Sequence, residues 1–190
     1  MWKRLLGAML VLDVAAVGLF AVYAERREAP APMEPSPSPA PNASALARAD
    51  TPYENVTLGY TFSYPNEWVL RVNGSLTQLL DPGRQALVSF GRGPSGSLSE
   101  ASDAYFSSLR QGYTDFKSAF TQVETISGAV SRVVVGKATN EDGKRLRFQA
   151  ILIHGDKRNY AVAAFTALDT SPSVKAALDE IIGSFEQPPS

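Results

Sequence analysis

The sequence has no cysteine. That absence excludes thiol nucleophiles, disulfides, thiolate zinc sites and a lipid-bearing cysteine. Histidine is nearly absent too: His154 stands alone, and one imidazole does not build a histidine-based metal site. Neither sign of charge is in excess, with 18 Lys and Arg against 19 Asp and Glu and a formal net charge of −1. A nucleic-acid binder carries a basic stripe or a basic domain, and this balance excludes one. What remains is ordinary globular composition. The 190 residues are 44% hydrophobic and 19% charged, enough for one domain with additions.

The additions come first. Lys3 and Arg4 precede a run of 20 residues, Leu5 to Ala24, that is apolar except for Asp13. Such a run spans a ~30 Å hydrocarbon core as a helix. The flank Glu25-Arg26-Arg27-Glu28 is neutral in sum, so Lys3, Arg4 and the amino terminus hold the N-terminus in the cytoplasm. Two readings stay open for residues 1–24. The length of the run favours an uncleaved signal anchor, whereas Val22-Tyr23-Ala24 also fits a signal-peptide cleavage site. The first makes a single-pass membrane protein with its C-terminal domain outside; the second makes a secreted or periplasmic one. Asp13 costs about 2.5–3.5 kcal/mol of insertion, which the surrounding Leu, Val and Phe offset. It reads as a tolerated polar residue. Residues 25–51 alternate Pro with Ala and Ser between Ala29 and Pro41. They bury nothing, and form a semi-rigid spacer of ~3.1 Å per residue where extended.

From residue 52 to 187 the pattern becomes that of one domain. Leu58, Tyr60, Phe62 and Tyr64 alternate with small residues, a half-buried strand stopped by Pro65. Strands at 68–72, 76–80 and 86–90 follow, divided by Asn73-Gly74, the best hairpin signal in the chain, and by Asp81-Pro82-Gly83. Ser97 and Glu100 form a capping box ahead of Leu98, Ala101, Tyr105 and Leu109, so a helix is expected over 97–112. Four more strands are expected at 116–126, 129–139, 144–154 and 159–167, each joined to the next by a short turn. A last helix spans 171–185, where Val174, Ala177, Leu178, Ile181, Ile182 and Phe185 make one apolar stripe. The order β-β-β-β-α-β-β-β-β-α implies an α+β fold, an antiparallel sheet flanked by helices.

The segment Gly59-Tyr60-Thr61-Phe62-Ser63-Tyr64-Pro65-Asn66-Glu67-Trp68 resembles the opening strand and turn of the PsbP-like superfamily. That superfamily holds the extrinsic oxygen-evolving proteins of photosystem II and exported bacterial relatives of the DcrB-like and LpqN-like kinds. The closing pair of long strands and the final helix with its Phe are similar too, so the resemblance covers residues 52–186. It implies an α-β-α sandwich and a non-catalytic binding or assembly role. Unlike the lipoprotein relatives, this chain has no lipid-bearing Cys, so any anchor is the Leu5–Ala24 segment.

Four features carry candidate chemistry. Gly91-Arg92-Gly93-Pro94-Ser95-Gly96 is a literal G-x-G-x-x-G, but a dinucleotide site needs a parallel βαβ unit. The hairpin-linked strands before it and the polar strand after it, with Lys117, Gln122 and Glu124, point instead to a flexible loop entering a helix. His154 is the base that a hydrolase would use, yet no Gly-x-Ser-x-Gly elbow accompanies it. Lys144, Arg145, Arg147, Lys157 and Arg158 line one hairpin and make the candidate binding surface, for an envelope protein, a lipid head group or a wall polymer. Tyr60, Tyr64 and Trp68 read as core and rim packing. Asn42, Asn55 and Asn73 each open an N-glycosylation triplet, weak signals that carry no meaning in a bacterial source. The expectation is a non-enzymatic extracytoplasmic binding or assembly module, with no catalytic residue, cofactor, metal or nucleic-acid partner. The alternatives are a small-ligand or lipid carrier, for which a pocket of about 300 Å³ or more is the criterion, and a hydrolase using His154.

Overall fold

A computed structural model describes residues 50–187. The apolar run at 5–24, the spacer up to residue 49 and Asn42 lie outside the described residues. Among the described residues no helix is long and apolar enough to cross a membrane. The chain runs β1 (Asp50–Asn55), β2 (Tyr60–Pro65), β3 (Val69–Asn73), β4 (Leu76–Leu80), β5 (Ala86–Arg92), α1 (Leu98–Gln111), β6 (Thr114–Ile126), β7 (Ala129–Thr139), β8 (Arg145–His154), β9 (Asn159–Ala167) and α2 (Pro172–Gly183). Strands β3 to β9 form one sheet in the order β3-β4-β5-β9-β8-β7-β6, and β1 and β2 form a separate hairpin. Every pairing is antiparallel.

β1 is the element the sequence pattern did not announce, and Asp50 and Thr51 belong to it rather than to the spacer. Its Pro52 is tolerated because, among the described residues, β1 pairs on one side only. The turn after β3 also differs from the Asn-Gly expectation. Asn73 pairs with Leu76, so the two loop residues are Gly74 and Ser75. Only Gly74 has a positive φ, 57°, the pattern of a type II′ hairpin with glycine first. Ser127 and Gly128, at φ 50° and 78°, give the β6–β7 hairpin the two left-handed residues of a type I′ turn.

Alternation along the strands sorts side chains to two faces. One face collects Val88 and Phe90 of β5, Val162 and Ala164 of β9, Ile151 and Ile153 of β8 and Val133 of β7. α2 packs on this cluster through Ala177, Leu178, Ile181 and Ile182, and the β1–β2 hairpin adds Tyr60 and Phe62. Phe62 stacks on Phe90 at 4.4 Å between ring centroids, and Phe185, just past α2, lies parallel to Phe90 at 6.0 Å. Backbone bonds between Thr61 and Glu186, both 2.9 Å, tie the hairpin to the chain after α2. The opposite face carries α1, capped by Ser97 and Glu100 as the sequence indicates. There Tyr113 stacks on Phe165 at 4.8 Å, and Asp103 meets Arg132 at 3.5 Å.

Tyr60 is 1% exposed, and its hydroxyl donates to Thr77 Oγ1 at 2.8 Å and accepts from Asn55 Nδ2 at 3.2 Å. Burial is the larger influence and pushes the phenol up to about 12, against the downward pull of those two bonds. Asn55 is itself 6% exposed, so its amide serves this network and is closed to any glycan.

β6 is irregular where it meets β7: the register shifts between Thr114 and Lys117 and again between Ser118 and Phe120. Gly136 of β7 makes room for this. A Cβ there would lie 2.2 Å from the Lys117 carbonyl oxygen and 2.7 Å from the Phe148 ring. Phe148 covers the glycine and stacks on Phe116 at 4.2 Å.

Gly136→Ala should therefore destabilise the domain by about 1–3 kcal/mol through overpacking, read as a lower urea midpoint at unchanged slope. The unfolded chain releases the Tyr60 proton near pH 10 and the folded chain releases it only near 12. Stability should accordingly hold below pH 10 and fall as pH rises from 10 towards 12. Urea midpoints measured across that range should decline less steeply for Tyr60→Phe.

Candidate functional site

The five cations expected to share one hairpin surface fall into two groups. Lys144, Arg145 and Arg147 stand at the start of β8, whereas Lys157 and Arg158 occupy the turn after its end. The ten residues of β8 separate them by about 30 Å at ~3.4 Å per residue. One ligand of modest size does not bridge both groups.

At the far end, Lys157 and Arg158 line a cleft of about 190 Å³ with Arg92, His154, Asp156 and the Gly93–Gly96 segment. Nδ1 of His154 is 2.7 Å from the Asn159 side-chain oxygen. The amide nitrogen of Asn159 donates to the carbonyls of Pro94 (2.7 Å) and Gly96 (3.1 Å). The glycine segment is thus tied to the β8–β9 turn, and Gly93 is close-packed: a Cβ there would meet Leu152 at 2.8 Å. Both sheet neighbours of β5 are antiparallel to it, so the segment belongs to no βαβ unit. The partner of His154 is an amide rather than a serine. Arg158 is engaged as well, donating to the Thr57 carbonyl at 3.3 Å.

The near end is different. Along β7 and β8, Lys137 and Arg147 are direct cross-strand partners, and Lys117 of β6 is the partner of Lys137 on its other side. Three cations therefore stand in one row across three adjacent strands, on the face that carries α2. Neighbouring strands lie ~4.8 Å apart. Like charges directly opposite each other on a sheet are destabilising, and none of the three has an ion-pair partner among the described residues. The row continues to Thr166 of β9, opposite Arg147.

Arg147 and Lys137 line a cleft of about 380 Å³ between the sheet and α2. α2 contributes Lys175, Leu178 and Asp179, while the sheet supplies Ala119, Val135, Gln149, Ala164 and Thr166. The cleft exists because the aromatic cluster and α2 occupy one end of this face and leave the β6–β8 end open. Three cations of its lining stand against one carboxylate, so the cleft favours an anion.

Of the five candidate cations, Arg147 alone lines this cleft; Lys144 and Arg145 lie beside it at the start of β8. Lys117, Lys137 and Lys175 were missed because their proximity is a matter of strand register and helix placement. Tyr60 and Trp68 are buried and Tyr64 is partly buried, in keeping with a packing role.

Replacing Lys137 by Thr relieves the repulsion on both sides of it. The variant should be more stable than the parent by roughly 0.2–1 kcal/mol at low ionic strength, and the gain should shrink in 0.5 M salt. Thermal melts of the two proteins at both salt concentrations measure this directly.

No protein-family model matches the sequence, and no curated protein matches it. Solved structures do resemble it. The cyanobacterial PsbP (CyanoP) of Synechocystis sp. PCC 6803 superposes with a TM-score of 0.57 at 19% identity, over 80% of this chain and 100% of that one. PA94 of Pseudomonas aeruginosa, a protein of unknown function, gives 0.53 at 16%, over 74% and 99%. The Ran-binding protein Mog1p of Saccharomyces cerevisiae gives 0.50 at 14%, over 74% and 96%. Likeness at such identities is likeness of fold, and the antiparallel sheets with their two helices have the PsbP-like fold.

Proposed function

We propose that the chain is a non-enzymatic binding or assembly module of the cell envelope, working outside the cytoplasm and engaging an anionic partner through the cleft beneath α2. The observation that carries this reading is the unpaired row Lys117–Lys137–Arg147. A protein keeps a row of like charges at some cost in stability, and such local violations mark functional sites. A bound anion offsets the cost by pairing with Lys137 and Arg147, the two members of the row that line the cleft. The apolar run Leu5–Ala24 and the proline-rich spacer support the location. Retention of the run tethers the domain to the membrane, and cleavage after Ala24 releases it. The fold supports a binding role, since one of its solved examples is by name a Ran-binding protein.

The test uses the full chain and inorganic pyrophosphate as the probe. Millimolar pyrophosphate should raise the melting temperature of the parent by several degrees, as a ligand of the native state does. Lys137→Gln with Arg147→Gln should abolish the rise, whereas Lys157→Gln with Arg158→Gln should leave it intact. A parent that does not respond, or a response lost only with the second pair, overturns the reading. The location is tested separately by preparing spheroplasts: a tethered domain should be degraded by protease added outside, a cleaved one should appear in the released fraction, and a domain protected inside the spheroplast overturns the location.

A further inference from the structure

The cation row has a neighbour of different character. One step along the strands, about 7 Å away at two residues per step, the register sets Phe120 of β6 opposite Val135 of β7. Val135 is in turn opposite Gln149 of β8, and Gln149 is opposite Ala164 of β9. Two parallel rows thus cross the same face: Lys117, Lys137, Arg147 and Thr166, then Phe120, Val135, Gln149 and Ala164. The second row is mainly apolar. Its inner end is roofed by Leu178 of α2, which lines the same cleft. At its outer end, Phe120 is 55% exposed, and no ring contact holds it among the described residues.

We infer that this cleft binds an anionic amphiphile, with a phosphate or carboxylate head on Lys137 and Arg147 and an alkyl chain running over Val135 towards its cross-strand neighbour Phe120, which stands beside the cleft. The inference rests on the proposed reading of the cleft as the contact surface, and adds the chemical class of the ligand. A cleft for a simple anion needs only the first row, and Phe120 at the outer end of the second would be left as exposed hydrocarbon. An acyl chain laid along it covers Phe120 and the floor and removes that apolar area from water. Asp179, in the same cleft, limits the excess of positive charge and suits a head group of one or two charges better than a long polyanion. The volume of about 380 Å³ fits a small amphiphile.

The measurement is calorimetric titration of the full chain, held in zwitterionic phosphatidylcholine nanodiscs, with methyl, butyl and hexyl phosphate. Each added methylene should tighten binding by about two- to fourfold, the upper figure corresponding to complete burial. Phe120→Ser should flatten this chain-length series while leaving the affinity for methyl phosphate unchanged. Arg147→Gln should weaken every member at least tenfold, which also subtracts any uptake by the nanodisc. Equal affinity for all three alkyl phosphates would overturn the amphiphile and leave the anion-binding reading standing. Absence of binding by every member would overturn both. Given a chain-length series, competition by phosphatidylglycerol vesicles identifies a bilayer lipid as the source, and lack of competition identifies a free amphiphile. Vesicle binding without a chain-length series reduces the cleft to surface electrostatics and overturns the inference.

Discussion

The stacking of Phe62 on Phe90, with Phe185 also parallel to Phe90, is the contact on which the remaining arrangement depends. It joins three parts of the chain that are far apart in sequence: the opening hairpin, the middle of the large sheet and the residues after α2. Tyr60 and Tyr160 complete the cluster, with centroids 5.6 and 5.5 Å from Phe185. A neutral, fully buried network of Asn55, Tyr60 and Thr77 then ties the hairpin to β4 of the large sheet. Because these large rings gather at one end of a long face, α2 is drawn to that end. Among the described residues no helix covers the other end. The cleft is the consequence of that uneven cover.

Much of this layout was legible in the sequence, for identifiable reasons. Alternating aromatic residues at Tyr60, Phe62 and Tyr64 and the stripe from Val174 to Phe185 are strong periodic signals, and both elements formed, β2 starting at Tyr60 rather than Leu58 and α2 ending at Gly183, before Phe185. The PsbP-like fold followed from the same residues. β1 escaped notice because its alternation is short and contains Pro52, which reads as spacer until a partner strand is known. The turn after β3 shifted by one residue because glycine serves the first position of one turn type as readily as the second position of another.

The site was less legible, and the physical reason is register. Lys157 and Arg158 are close to Arg147 in sequence, yet a strand carries its two ends apart as fast as a chain can. Conversely, Lys117 is twenty residues from Lys137 and becomes its neighbour. A regular hairpin counted back from Ile126 and Ala129 would pair Lys117 with Ala138, on the opposite face of the sheet. The extra residue at Ala119 flips it to the side of Lys137 and Arg147. No charge pattern along the sequence encodes that. The nearest sequence mark is Gly136, whose missing side chain admits the displaced strand. The resulting row opposes the usual preference for opposite charges across a sheet, and a local conflict of this kind is where an otherwise consistent fold departs from stability for some other end.

The same irregularity has a consequence for how the molecule behaves at high concentration. β6 is the last strand of the sheet, thirteen residues long, and its outer backbone groups have no strand to pair with among the described residues. A straight, regular edge of that length is a template for another molecule's strand and, through repetition, for fibre growth. The two register shifts break the edge into short segments whose donors and acceptors do not line up in one series, and Lys117 adds a charge beside the break. An incoming strand finds at most the run from Phe120 to Ile126 to pair with. The bulge that assembles the cation row thereby also keeps a long exposed edge from polymerising.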